Sequence, residues 1–99
     1  MNAAERLKIQ PVAMPEQKPS ERIHNVREVP LGFSMEMAQQ EAQRCLHCAN
    51  APCIKGCPVG VHIPDFIKAI EEGDLAGGIG IIKQTNLLPA VCGRVCPQE

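Results

Sequence analysis

Apolar residues recur at helical spacing in three places along the chain, and the pattern breaks before and between them. Met35, Ala38 and Ala42 lie three and four positions apart, with Leu46 one further turn on, which predicts a helix over 34–44. Ser34 is placed to accept a backbone N–H as N-cap, and Glu36 falls in the first turn, where the helix dipole favours an acid. Ile63, Phe66, Ile67 and Ile70 form a second face, opened by Pro64 and stopped at Gly73. Asp74 then caps a third helix, in which Leu75, Ile79 and Ile82 share a face up to Asn86. Gly77, Gly78 and Gly80 each cost that helix roughly 1 kcal/mol against Ala, so it has to be held by packing on its predecessor. The two read as a helical hairpin. Pro89 starts a further short helical turn, no stretch alternates as a strand would, and the predicted class is all-α.

Two stretches carry no period. Residues 1–33 hold Pro11, Pro15, Pro19 and Pro30, and rings at this density allow no more than a turn or two of helix. This is an extended arm, either docked through Ile23, Val26 and Val29 or left as a solvated leader. Residues 45–64 contain Asn50, Pro52, Gly56, Pro58, Gly60 and Pro64 and read as loop. The expected organisation is therefore an arm over 1–33 and one helical domain over 34–99.

Composition narrows the chemistry. The chain has 99 residues, two phenylalanines and no Trp or Tyr, so its apolar core is small and calls for reinforcement by a metal, a disulfide or a partner. A net charge of −1 with interspersed signs gives no support to nucleic-acid binding. The N-terminus lacks the basic and apolar segments of a signal peptide, and no apolar run is long enough for a bilayer. A cytoplasmic, soluble chain with reduced cysteines is expected.

Those cysteines are the main chemical signal. Cys45, Cys48, Cys53 and Cys57 are spaced C-x2-C-x4-C-x3-C, with Pro58 directly after, and Cys92 and Cys96 follow, the latter also before a proline. Thiolates are soft ligands suited to iron–sulfur clusters, zinc or Cu(I). A bacterial ferredoxin run has the same Cys-Pro ending with a shorter middle interval, and sends its fourth cysteine to a different cluster from the first three. By that analogy Cys45, Cys48 and Cys53 share one centre, and Cys57 with Cys96 begins another. The rival is a structural zinc site on Cys45, Cys48, Cys53 and Cys57, within a cysteine-rich docking module; only Cys45 and Cys48 make the two-residue knuckle that zinc sites use in pairs. His47 reads as a neighbour of the centre, and His24 and His62 have no partner at ligand spacing. Neither a phosphate-binding glycine loop nor a nucleophile–base set is present, so catalysis would need another domain.

Glu41-Ala42-Gln43-Arg44-Cys45-Leu46-His47-Cys48, Pro52-Cys53-Ile54-Lys55-Gly56-Cys57-Pro58-Val59, Ile63-Pro64-Asp65-Phe66-Ile67 and Cys92-Gly93-Arg94-Val95-Cys96-Pro97-Gln98-Glu99 together resemble one module. It is the N-terminal iron–sulfur domain of NADPH-dependent glutamate synthase small (beta) subunits, shared with dihydropyrimidine dehydrogenase. The likeness runs from about residue 14 to 99. It implies a helical ferredoxin-like domain with two [4Fe-4S] clusters that pass electrons between an FAD reduced by NADPH and a flavin site on a partner, the glutamate synthase large subunit or its equivalent. It also implies Cys45, Cys48 and Cys53 as ligands of one cluster and Cys57 and Cys96 as ligands of the other, with Cys92 matching a cysteine not used as a ligand. Members of the family continue to two more cysteines and then to FAD and NADPH domains, so the chain is expected to be a fragment with each ligand set incomplete.

Overall fold

The computed structural model describes residues 2 to 96. Among them are seven short helices and no strand: α1 (Ala3–Leu7), α2 (Pro19–Arg22), α3 (Met35–Ala42), α4 (Pro52–Gly56), α5 (Ile63–Glu71), α6 (Leu75–Lys83) and α7 (Pro89–Val95). The all-α class holds. No helix among the described residues is long and apolar enough to cross a membrane.

Local chemistry sets the helix ends. Ser34 Oγ accepts the Met37 N–H at 3.3 Å and Asp74 Oδ1 accepts that of Gly77 at 2.9 Å, so both predicted N-caps form. At the end of α5 Gly73 takes φ +86°. Its N–H reaches the Ile70 carbonyl at 2.9 Å while the Asp74 N–H reaches Ala69 at 2.8 Å, the pair of bonds that closes a helix through a left-handed residue. The chain then turns directly into α6. Two boundaries differ from expectation. α3 stops at Ala42, and Leu46, outside it, is 40% exposed. The stretch over 45–64 is not wholly loop, because Pro52 at the start of α4 loses no useful N–H and is already set for helix.

The hairpin of α5 and α6, with α3 against α5, is the body of the fold. The face that α6 turns inward is only partly the predicted one: Ile82 is half-buried. Leu75 and Ile79 are exposed, whereas Gly78 is buried against Ile70 and the Phe66 carbonyl. Leu75 and Ile79 give way because a glycine lets the two backbones approach more closely than a branched side chain would. Of the large apolar residues described only Val61 reaches the buried class, beside Ala42 and Ala51, and no side chain among the described residues is fully enclosed. So thin a core stabilises little by itself.

The arm is held by polar bonds rather than by the suggested apolar stripe. Ile23 and Val26 are exposed and Val29 is half-buried. Gln17 N–H donates to the Val29 carbonyl at 2.9 Å, Leu31 N–H to Pro15 at 2.7 Å, and Asn25 Nδ2 to Gln17 Oε1 at 2.9 Å, folding 15–31 into a closed loop. Arg94 of α7 meets Glu28 of that loop at 2.6 Å. Nearer the N-terminus, Asn2 and Glu5 exchange side chain–backbone bonds at 2.9 and 3.0 Å to cap α1, and Val12 N–H binds Glu41 Oε2 of α3 at 2.8 Å.

Candidate metal centre

The end of α3, its following loop and α4 bring out four thiols in succession. Cys45 N–H closes the last turn of α3 on the Ala42 carbonyl at 3.1 Å. The backbone then passes through the left-handed region twice, at His47 (φ 52°) and Ala51 (φ 35°), the two non-glycine residues that do so among those described. Such conformations cost free energy and persist only where surroundings impose them. Both fall in the loop that spaces Cys45, Cys48 and Cys53. Cys53 sits in the first turn of α4, Cys57 at its C-cap. Cys92 lies within α7 and Cys96 at its C-cap, with the Cys96 N–H on the Cys92 carbonyl at 2.9 Å. Pro97, which completes the second Cys-Pro pair, lies outside the described residues.

All six thiols are free; Cys45, Cys57 and Cys92 are half-buried and Cys48, Cys53 and Cys96 exposed. Among the described residues no three His, Cys, Asp or Glu side chains converge to hold a single metal ion. One thiol carries a further mark of a metal ligand. The backbone N–H groups of Val61, then Val59 and Gly60, hold the Cys57 thiol below its ordinary pKa, against the opposing effect of partial burial; amides aimed at a sulfur favour the thiolate that binds metal. The cavity of about 660 Å³ beside Cys48 is lined mainly by charged side chains, Arg6, Asp65, Lys68 and Glu71 among them, and by no second cysteine.

Around Cys45 the structure adds partners that sequence reading misses. Arg6 Nη1 donates to the Gln43 and Cys45 carbonyls, each at 3.0 Å, and the guanidinium grips the Glu71 carboxylate at 3.0 and 3.2 Å. Glu71 Oε2 also receives His47 Nε2 at 3.2 Å, and His47 Nδ1 stands 3.9 Å from Cys45 Sγ. Arg6 foremost, and His47 after it, hold the Glu71 carboxyl below its ordinary value near 4.5. Asn2-x-x-Glu5 marks the helix that carries Arg6, but no local pattern shows where the side chain reaches.

Known proteins resemble this chain over most of its length. Residues 22–99 match the family model described as dihydropyrimidine dehydrogenase domain II, 4Fe-4S cluster. The chain is 40% identical over 86 residues to the glutamate synthase [NADPH] small chain of Halomonas elongata, covering 86% of this chain and 18% of that one. It is 46% identical over 67 residues to its counterpart in Escherichia coli K12, covering 68% of this chain and 14% of the relative. With the NAD-dependent dihydropyrimidine dehydrogenase subunit PreT of Salmonella typhimurium it shares 43% identity over 68 residues, 69% of this chain and 16% of that one. The chain thus spans less than a fifth of the length of these curated relatives. The cysteine spacing, the all-helical fold and a match over more than three quarters of the residues place this chain in the 4Fe-4S family of dihydropyrimidine dehydrogenase domain II.

Proposed function

We propose that this chain is an electron-transfer module carrying two [4Fe-4S] clusters within a glutamate-synthase-type, NADPH-dependent oxidoreductase. In this reading Cys45, Cys48 and Cys53 hold one cluster and Cys57 with Cys96 contributes to the second, while Cys92 remains a structural thiol of α7. The clusters would supply one-electron storage and transfer. The chain's own residues spread the thiolates over two helix ends, direct amides at Cys57, and set a strained loop between Cys45 and Cys53. Residues 34–99 form the cluster-bearing domain, and the arm over 1–33 braces it. FAD and NADPH would bind elsewhere in the same full-length protein, and electrons would leave to a flavin site on a large subunit or equivalent domain. Free thiols in this number suit the reducing cytoplasm.

The observation that carries the reading is the run of four free thiols over residues 45–57 in a member of a 4Fe-4S family. Anaerobic purification of the full-length protein tests it. Iron and acid-labile sulfide at about eight each per chain, with a paramagnetic signal on reduction, are expected for two four-iron clusters. Stoichiometric zinc without sulfide would overturn the assignment and favour a zinc-bound docking module.

A further inference from the structure

Arg6 stands outside the span of the family match, which begins at residue 22, yet its side chain is only 12% exposed and lies at the junction of three elements. From α1 it binds the carbonyls of Gln43 and Cys45. A helix C-terminus leaves such carbonyls without intrahelical partners, and a cation there is favourable. With its fork it grips Glu71 in the last turn of α5, and paired bonds of this kind fix direction as well as distance. Glu71 in turn holds His47 Nε2. A carboxylate can only accept, so the imidazole donates from Nε2 and presents Nδ1 to Cys45 Sγ. The chain of contacts is therefore continuous from the arm to a thiol, through the residue whose left-handed backbone shapes the turn between Cys45 and Cys48.

We infer that Arg6, acting through Glu71 and His47, is a positioning residue for the Cys45 end of the metal loop, slowing metal loss and biasing the reduction potential of the centre held there. The inference rests on the iron–sulfur reading above. Groups that orient metal ligands are commonly worth 10–100-fold in metal affinity, and cluster potentials respond to nearby net charge. Arg6→Gln leaves the Glu71 carboxylate uncompensated, whereas Glu71→Gln leaves the guanidinium uncompensated. The two variants thus loosen the same clasp while changing the local charge in opposite directions.

In the full-length protein, both R6Q and E71Q are expected to speed chelator-driven iron release by about tenfold or more. Potentials followed by spectroscopic redox titration should move negative in R6Q and positive in E71Q. R6K, which keeps the charge but not the fork, should release iron quickly at a nearly unchanged potential. Wild-type release rates in these variants, or shifts of the same sign, would overturn the inference. If R6Q does not fold, R6K decides: iron release as slow as wild type rejects the clasp. A second measurement needs no cluster. In metal-free protein, amide exchange at Arg44, Cys45 and Ala51, whose N–H groups bond the Glu41, Ala42 and Cys48 carbonyls, should rise about tenfold in R6Q, the scale set by losing charged hydrogen bonds; unchanged exchange also rejects it. Absence of iron and sulfide from the wild-type protein, by contrast, counts against the proposed function and leaves the exchange result to judge the clasp.

Discussion

A Cβ placed on Gly78 would stand 3.3 Å from Ile70 Cγ1 and 3.4 Å from the Phe66 carbonyl oxygen, so this glycine of α6 sets how closely α5 and α6 approach. Gly80, two residues on, faces open space, with nothing within 4 Å of the same position. Opposite outcomes follow from one helix. Gly80→Ala should stabilise by about 0.5–1 kcal/mol through helix propensity. Gly78→Val, which forces the helices apart, should cost about 1–3 kcal/mol. Denaturant midpoints compare them directly, and a Gly78→Val protein as stable as wild type would show that the hairpin interface is not set there.

The left-handed Gly73 makes a second stability prediction. Its φ of +86° disfavours any side chain, and a Cβ would also come 3.3 Å from Gln39 Nε2 on α3. Gly73→Ala is expected to cost about 1–3 kcal/mol. The loss should appear as a lower thermal midpoint; an unchanged midpoint would mean that the α5–α6 turn adapts freely.

Glu71 predicts a pH dependence. Arg6, and to a smaller degree His47, lower its pKa in the folded protein from an ordinary value near 4.5. A carboxyl with a depressed folded pKa binds more protons when unfolded, so its contribution is present above the unfolded value and lost as pH falls through the folded one. The difference in melting midpoint between wild type and Glu71→Gln should therefore be full above the ordinary carboxyl value near 4.5 and shrink as the pH falls below it through the lowered folded value. A difference that widened toward acid would contradict the Arg6 contact.

Ligand assignment predicts different losses for neighbouring cysteines. Under the proposed assignment, Cys57→Ser and Cys45→Ser should each lower iron from about eight to about four per chain, because each would remove a ligand from a different cluster. Cys92→Ser should leave the iron content unchanged, because the proposed assignment gives this α7 thiol no cluster to hold. Equal losses at Cys92 and Cys57 would require a revised assignment.

Most of the helical punctuation was legible in the residues themselves. Ser34, Asp74 and Gly73 act through bonds spanning three to five positions, so their roles follow from local pattern, and the cysteine spacing is likewise a local signal for soft-metal chemistry. The short helix α4 was hidden because Pro52 and Gly56 look like loop residues, although a proline at a helix start and a glycine at its end are compatible with one turn. The inward face of α6 was misread in part for a related reason. Three glycines register as a propensity cost, and only the presence of α5 turns Gly78 into the contact residue.

By itself, then, the sequence determined an all-helical chain with a cysteine run suited to a soft metal centre, because caps, proline positions and ligand intervals are short-range. The tertiary structure decided what stands around that run. Arg6 and Glu71 are 65 positions apart, and neither carries a local mark of the other. Their meeting depends on how α1, the end of α3 and α5 pack, and a pattern along the chain does not contain the free energy of that packing.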